Sequence, residues 1–334
     1  AGAIMALAGD LSREKQRPKV MAIIGISIGF SFYLALLLGP IIASKFGLSG
    51  IFLMTGVLAC LCVFLVLFVV PNAKNIAPKG DTLPIYEDLK KLFSHPQLIR
   101  LNISVLLLHM LITLLFVQIP VFLVDLNWPL ATHWEVYSIV LVTSVVGLIG
   151  LMILAAKRKL AVMQFSVAGM AIVFTLLILG QHSIIYLIML VSLFFTCFNY
   201  LEANFPAMVS NIAPAGKKGS AMGVYASFQF FGAFLGGVLS GSIGELLGIQ
   251  WVFVLASILC CIWLWLIRGL KATNRLKRYT LKTDDQTTDL ALQQLSALDG
   301  LVDITVVPNE QVMYLKADQH FDIQQARLVL NLKD

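Results

Sequence analysis

Long apolar runs broken by short polar punctuation dominate the first 268 residues of the chain. About 20 consecutive apolar residues of helix cross a hydrocarbon core of about 30 Å. Eight runs meet that standard: Val20–Ile42, Gly50–Val70, Leu98–Val124, Val136–Ala156, Val162–Gly180, Ser183–Phe205, Ala221–Leu247 and Trp251–Ile267. A ninth run, Ala1–Ala8, reads as the end of a helix already under way. It has neither an opening Met nor a basic n-region, so it does not read as a signal peptide, and further helices are expected ahead of it. Beyond residue 277 the period changes. Arg278–Lys282 is a candidate strand, and Ala291, Leu295 and Leu298 make a helical stripe. Val302, Ile304 and Val306 alternate as in a half-buried strand. After the Pro308-Asn309-Glu310 turn, Val312–Ala317 returns as a strand, and Ile323, Ala326 and Leu330 form a last helix face. The pattern predicts an all-α polytopic membrane body followed by a small α+β domain.

Composition agrees: 59% of the 334 residues are hydrophobic and 13% charged, with a mean hydropathy of +0.88. A soluble domain carries about 45–50% apolar and about 25% charged residues. That difference excludes a soluble enzyme, a disordered chain and a nucleic-acid binder. The net charge of +6 conceals two opposed parts, since Lys and Arg dominate residues 1–282 whereas Asp and Glu dominate residues 283–334. Basic residues of the connections fall on one side: Arg13, Lys15, Arg17 and Lys19; Lys74, Lys79, Lys90, Lys91 and Arg100; Lys157, Arg158 and Lys159; Lys217 and Lys218; and the group from Arg268 to Lys282. The other side holds Lys45. By the positive-inside rule the basic side and the acidic tail of this multi-pass protein are cytoplasmic.

The expected organisation is therefore a helical part over residues 1–70, a cytoplasmic linker over 71–97, a six-helix bundle over 98–268 and a tail domain over 277–334. In the linker, Ile85, Leu89, Leu92 and Phe93 at helical spacing predict a short amphipathic helix on the membrane surface, acting either as a plain connection or as a lever. Cys60, Cys62, Cys197, Cys260 and Cys261 lie inside apolar runs without CxxC spacing, as small core residues do. No metal site, cofactor or enzymatic constellation is expected.

A polar group inside a span is costly, about 2.5–3.5 kcal/mol for a charge on insertion scales, and so points to function or pairing. Glu202 lies in the Ser183–Phe205 run beside Asn199, Tyr200 and Asn204. It reads either as a proton carrier or as a cap or loop-pairing carboxylate. His109 sits near the middle of Leu98–Val124, as a proton relay or as a neutral imidazole bonded between helices. Gln118 and Pro120 mark the outer end of that run, where proline frees a carbonyl and permits a bend. Phe116, Phe194 and Phe198 offer aromatic surface to an amphipathic ligand, or simply pack. Gly39-Pro40 combines close approach with a missing donor, and Gly223, Gly232, Gly236, Gly237, Gly241 and Gly244 enrich the Ala221–Leu247 run. A weak repeat at an offset of 201 residues places Met21 on Met222, Gly47 on Gly248 and Phe52 on Phe253.

The stretch GAIMALAGDLSREKQRPKVMAIIGISIGF, followed by LLLGPIIAS, resembles the fourth-to-fifth helix region of major facilitator superfamily drug/proton antiporters. NYLEANFPAMVSNIAPAGKKGSAMGVYASFQFFGAFLGG resembles the tenth and eleventh helices of a bacterial group in that family that carries a small cytoplasmic ferredoxin-like domain. The resemblance implies a twelve-helix fold whose first three helices, and most of the fourth, precede residue 1. Gly39-Pro40 would then be the antiporter motif, with Ala43 and Ser44 in place of its following glycines, meeting the eleventh helix as packing or as a gate. Asp10, Arg13 and Arg17 would form a cytoplasmic latch, or an ordinary basic loop. His109 and Glu202 would line the central cavity from helices seven and ten. The tail would be a ferredoxin-like domain without its last strand, and its Thr283–Thr288 loop lacks the thiols that hold a soft metal ion. The expected function is proton-coupled export of a small molecule by alternating access. Its partners are that substrate, protons and the lipid bilayer, with a cytoplasmic ligand or protein open for residues 277–334. The alternatives are a membrane sensor with a ligand-binding tail, or an inactive fragment.

Overall fold

The computed structural model describes residues 17–70, 93–180, 183–213, 218–271, 277–282, 289–307, 312–318 and 320–330. Most of the linker with its expected amphipathic helix, including Ile85, Leu89 and Leu92, lies outside these residues, as do Asp10 and Arg13. The helices are α1 (Arg17–Phe68), α2 (Pro96–Asp125), α3 (His133–Ile178), α4 (Ile184–Ile212), α5 (Lys218–Leu246) and α6 (Ile249–Ile267), with a 3-10 turn at Leu130–Thr132 before α3. Among the described residues, seven segments are long and apolar enough to cross a membrane. In lipid every backbone donor and acceptor must be satisfied within the segment, which makes helix the only open choice for such runs. Hydroxyls inside them fold back on their own helix: Thr113 donates to the carbonyl of His109 at 2.9 Å and Ser166 to that of Val162 at 2.9 Å.

Two pairs of expected spans appear as single long elements. Val20–Ile42 and Gly50–Val70 fuse into α1, whose one non-helical residue is Gly47 at φ 63°. Only glycine adopts that φ without a Cβ clash. The 40-residue apolar stretch Gly29–Phe68 is roughly 60 Å of helix at about 1.5 Å per residue, enough for two crossings. Likewise α3 carries two expected spans, separated at Arg158, where φ is −142°.

Backbone contacts group the chain into two compact units, one of Ala1–Ile76, Ser104–Ala203 and Gln229–Arg268, the other of Ala77–Ile103, Asn204–Phe228 and Gly269–Asp334. Their limits fall inside α2, α4 and α5, so neither coincides with a bundle expected from the loops. In the first unit, α1 packs on the 3-10 turn and on α3, and α3 packs on α6. Trp263 is fully buried in α6 and donates its indole N–H to Ser104 of α2 at 3.0 Å.

The seam between α2 and α5 brings two backbones close together. A Cβ built on Gly232 would run into the backbone of Leu106, and one on Gly236 into that of Met110. Ser240 Oγ donates to the Leu114 carbonyl at 3.0 Å and accepts from Gln118 Nε2 at 2.8 Å. Gly244 faces the same Gln118 amide. Contacts thus repeat every four residues with a constant offset, so the two helices run in the same direction in register. Small residues at 232, 236, 240 and 244 permit it, because helices in lipid associate by close packing rather than by the hydrophobic effect.

In the second unit the tail consists of β1 (Lys277–Lys282), α7 (Asp289–Ser296), β2 (Leu301–Val307), β3 (Val312–Ala317) and α8 (Ile323–Val329). The sheet is antiparallel with strand order β1-β3-β2. Leu281, Leu295, Met313, Leu315, Ala317, Phe321 and Ala326 form its core. Gly300 turns the chain into β2 at φ 81°, and its carbonyl accepts from the Asp318 N–H at 2.7 Å. A Cβ there would press on the Phe321 backbone. Left-handed backbone costs a non-glycine residue about 1–2 kcal/mol. Gly300→Ala is therefore expected to destabilise the tail by at least that amount, read as roughly tenfold faster limited proteolysis of residues 277–334 in the whole chain. Unchanged cleavage would contradict it.

Candidate functional site

The two titratable residues singled out inside the apolar runs come together in the first unit. Nε2 of His109 on α2 lies 3.8 Å from Glu202 Oε2 on α4. Between them stands Gln229 of α5, with its Nε2 2.8 Å from His109 Nε2 and 3.4 Å from Glu202 Oε1. The imidazole leans back along its own helix, and Nδ1 meets the Val105 carbonyl at 3.2 Å. A carbonyl only accepts, so Nδ1 carries a proton; the Gln229 amide donates to Nε2, which is then bare. The imidazole is neutral in this arrangement. Glu202 Oε2 is buried without a hydrogen-bond partner among the described residues, and a third of the Glu202 side chain is exposed. The side chain therefore borders open space while one of its carboxylate oxygens is buried and unsatisfied.

Local sequence explains the placement. Phe198 and Glu202 are one turn apart on α4, and Phe198 sets its ring edgewise to His109 at 5.7 Å. Pro206, four residues beyond Glu202 and inside α4, has no N–H to give to the Glu202 carbonyl. Asn199 donates to Ser144 Oγ of α3 at 3.5 Å and shares a side-chain hydrogen bond with Tyr33 of α1. Two further helices, α1 and α3, therefore converge on the face of α4 that carries Glu202.

The aromatic candidates divide. Phe116 meets Phe32 of α1 at 6.1 Å and Phe195 of α4 at 5.5 Å, both edge to face. Phe194 is fully buried against Phe174 and Phe198. It is a core ring and not a wall open to a ligand. Phe198 is buried as well, though in contact with His109.

Gln118 is likewise a tie between α2 and α5 rather than a free cavity group, since its amide is spent on Ser240 and buried. Net hydrogen bonds contribute about 0.5–1.5 kcal/mol. Gln118→Leu is expected to lower unfolding stability in detergent by about 1 kcal/mol and to leave the pH dependence of transport unaltered. A shifted pH profile would put Gln118 in the transport site instead.

Gly39-Pro40 lies in the helical run of α1, with Pro40 inside the helix. A Cβ added at Gly39 would meet nothing within 4 Å among the described residues, so none of these approaches the glycine closely. The close partner of the glycine-rich helix α5 is α2, at Leu106 and Met110. Of the expected latch, Arg17 begins α1, and Asp10 and Arg13 fall outside the described residues.

Gln229 is the site residue the sequence reading missed, together with Tyr33 and Ser144. A single Gln flanked by Phe228 and Phe230 inside an apolar run was the available signal. Such a side chain needs a partner in lipid, by the same argument that singled out Glu202.

The pattern of the Major Facilitator Superfamily matches residues 1–198 and 153–301. The chain is similar to the inner membrane transport protein YajR of Escherichia coli (strain K12), at 33% identity over 334 residues, which is 98% of this chain and 74% of that protein. It is also similar to an uncharacterized transporter of Buchnera aphidicola subsp. Acyrthosiphon pisum (strain APS), 33% identical over 242 residues, covering 71% of this chain and 61% of the relative. A second uncharacterized transporter, from Buchnera aphidicola subsp. Baizongia pistaciae (strain Bp), is 28% identical over 266 residues, covering 78% of this chain and 67% of its own length.

Proposed function

This chain belongs to the Major Facilitator Superfamily of multi-pass membrane transporters, and from that premise we propose that it exports a small amphipathic molecule in exchange for protons. The observation that carries the reading is the His109–Gln229–Glu202 cluster, a base and a carboxylate 3.8 Å apart inside apolar helices. A bare Nε2 and an unsatisfied Oε2 together form a seat for one proton. When the proton binds, it bridges the two groups and cancels the carboxylate's charge. When it leaves, Glu202 is again an anion beside the rings of Phe198 and His109, a setting suited to an aromatic cation. Competition between proton and cation for one carboxylate is the simplest exchange the geometry supports.

In this reading the basic connections and the tail face the cytoplasm, in keeping with the charge asymmetry of the loops. The tail's β1-β3-β2 order supports assigning it as a ferredoxin-like domain that binds a cytoplasmic ligand or protein. Asp10, Arg13 and Arg17 are assigned as the cytoplasmic latch, and Gly39-Pro40 as a bend in a gating helix. Transporters of this superfamily are generally not enzymes, and no catalytic step is assigned here.

The test is made in proteoliposomes loaded with a pH-sensitive dye and given an inward-acid gradient, with ethidium as the cationic probe. Ethidium movement that alkalinises the acid lumen is the expected result. Ethidium movement without any proton movement would overturn the coupling.

A further inference from the structure

The α2–α5 seam is held by two side-chain ties of different chemistry. One end is fixed by Gln118, Ser240 and the Leu114 carbonyl, none of which titrates. Between the ends, Gly232 and Gly236 bring the backbones together at Leu106 and Met110. At the other end, eleven residues or roughly 16 Å from Ser240 at about 1.5 Å per residue, Gln229 donates to His109 Nε2.

This second tie exists only while Nε2 is bare. An amide can usually turn over and offer its oxygen to a protonated imidazole. Here it cannot do so freely, because the same Nε2 of Gln229 lies 3.4 Å from Glu202 Oε1. Turning the amide would set two oxygens against each other. Glu202 therefore pins Gln229 as a donor, and the tie can bind only an unprotonated His109.

We propose that Gln229 is a positioning residue that converts protonation of His109 into release of one end of the α2–α5 seam. The inference rests on the proton-coupled reading above and adds to it the element that moves. A proton taken from water forms the Nε2–H bond and removes the lone pair that Gln229 used. The new N–H is donated to Glu202 Oε2, which has no partner beforehand. Gln229 keeps Glu202 Oε1 and loses α2. The seam then stays shut at Ser240 and is free to part around Gln229. Titratable neighbours are Glu202 from α4 and, through Asn199, Tyr33 from α1. From α3 Ser144 meets Asn199, and Phe198 lies edgewise to the imidazole from α4.

The test is amide hydrogen exchange over residues 226–233 of the whole chain in lipid nanodiscs at pH 5.5 and 8, corrected for the intrinsic pH dependence of exchange. Exchange in the unaltered protein is expected to be up to about tenfold faster at the acid pH, the loss of one hydrogen bond. Gln229→Leu removes the tie and is expected to exchange fast at both values. His109→Gln offers Gln229 an acceptor that never takes up a proton, and is expected to exchange slowly at both. Opposite, pH-independent outcomes in two variants separate the tie from general loss of structure. If Gln229→Leu keeps the pH response of the unaltered protein, or the unaltered protein has none, the tie is overturned. Ethidium-coupled proton movement in the same preparations is scored separately. Coupling with an unaltered exchange pattern in Gln229→Leu would sink the tie alone, and the expected exchange pattern without coupling would sink the transport reading alone.

Discussion

Replacing Glu202 by Gln is expected to bring ethidium-coupled proton movement in proteoliposomes down to the level of protein-free vesicles. The substitution keeps the length and one acceptor oxygen of the side chain, so Gln229 retains a partner near Oε1. It removes the anion, and with it the unsatisfied Oε2 to which a protonated His109 would donate at 3.8 Å. A neutral amide neither takes a proton from the imidazole nor attracts an organic cation. Downhill ethidium leakage uncoupled from protons would survive, because the helices are not expected to be disturbed. The same assay on His109→Ala tests the other half of the pair, with coupling again expected at background. If both variants moved protons at the unaltered rate, the cluster would be a structural pair and the coupling site would lie elsewhere.

A large effect on stability is expected at Gly236. Its added Cβ would stand 3.0 Å from the Met110 carbonyl carbon and Cα, with the carbonyl oxygen nearer still. No rotamer change relieves a clash with backbone, so the helices must part or shift register. Overpacking of this kind costs about 1–3 kcal/mol and occasionally more. Gly236→Ala should therefore lower unfolding stability by an amount in that range, read as a fall in the detergent or thermal midpoint. Gly241, five residues along the same helix, has nothing among the described residues within 4 Å of a built Cβ. Gly241→Ala is expected to be neutral or mildly stabilising, since alanine in a helix interior is favoured over glycine by about 0.5–1 kcal/mol. Equal changes at both positions would mean that the close approach to Met110 does not govern this helix.

Much of this architecture was legible because lipid leaves few alternatives. Twenty apolar residues must be helical, so Leu98–Val124 and Trp251–Ile267 could be placed to within a few residues of α2 and α6. Alternation in Val302, Ile304 and Val306 marked β2 for the same reason that it marks any half-buried strand. Breaks inside α1 and α3 were harder to see. A single residue, Gly47 or Arg158, interrupts each, whereas polarity predicted longer connections.

At the site, polarity in an apolar run identified His109 and Glu202 but could not say which helices adjoin. Helix pairing depends on register between faces, and the glycines of α5 suit any close neighbour. They were expected to meet α1 at Gly39-Pro40, and the structure packs them on α2. Phe194 shows the same limit, because composition does not distinguish a ring that lines a cavity from one buried against Phe174.

The pairing of one carboxylate with one imidazole also has an electrical meaning. Exchange of a single proton for a univalent cargo cation moves no net charge across the membrane, so its rate would be indifferent to voltage. A neutral cargo traded for the same proton would carry one elementary charge inward per cycle, about 2.3 kcal/mol of driving force for each 100 mV. Clamping the membrane potential with potassium and valinomycin would then report the charge of the cargo before its identity is known.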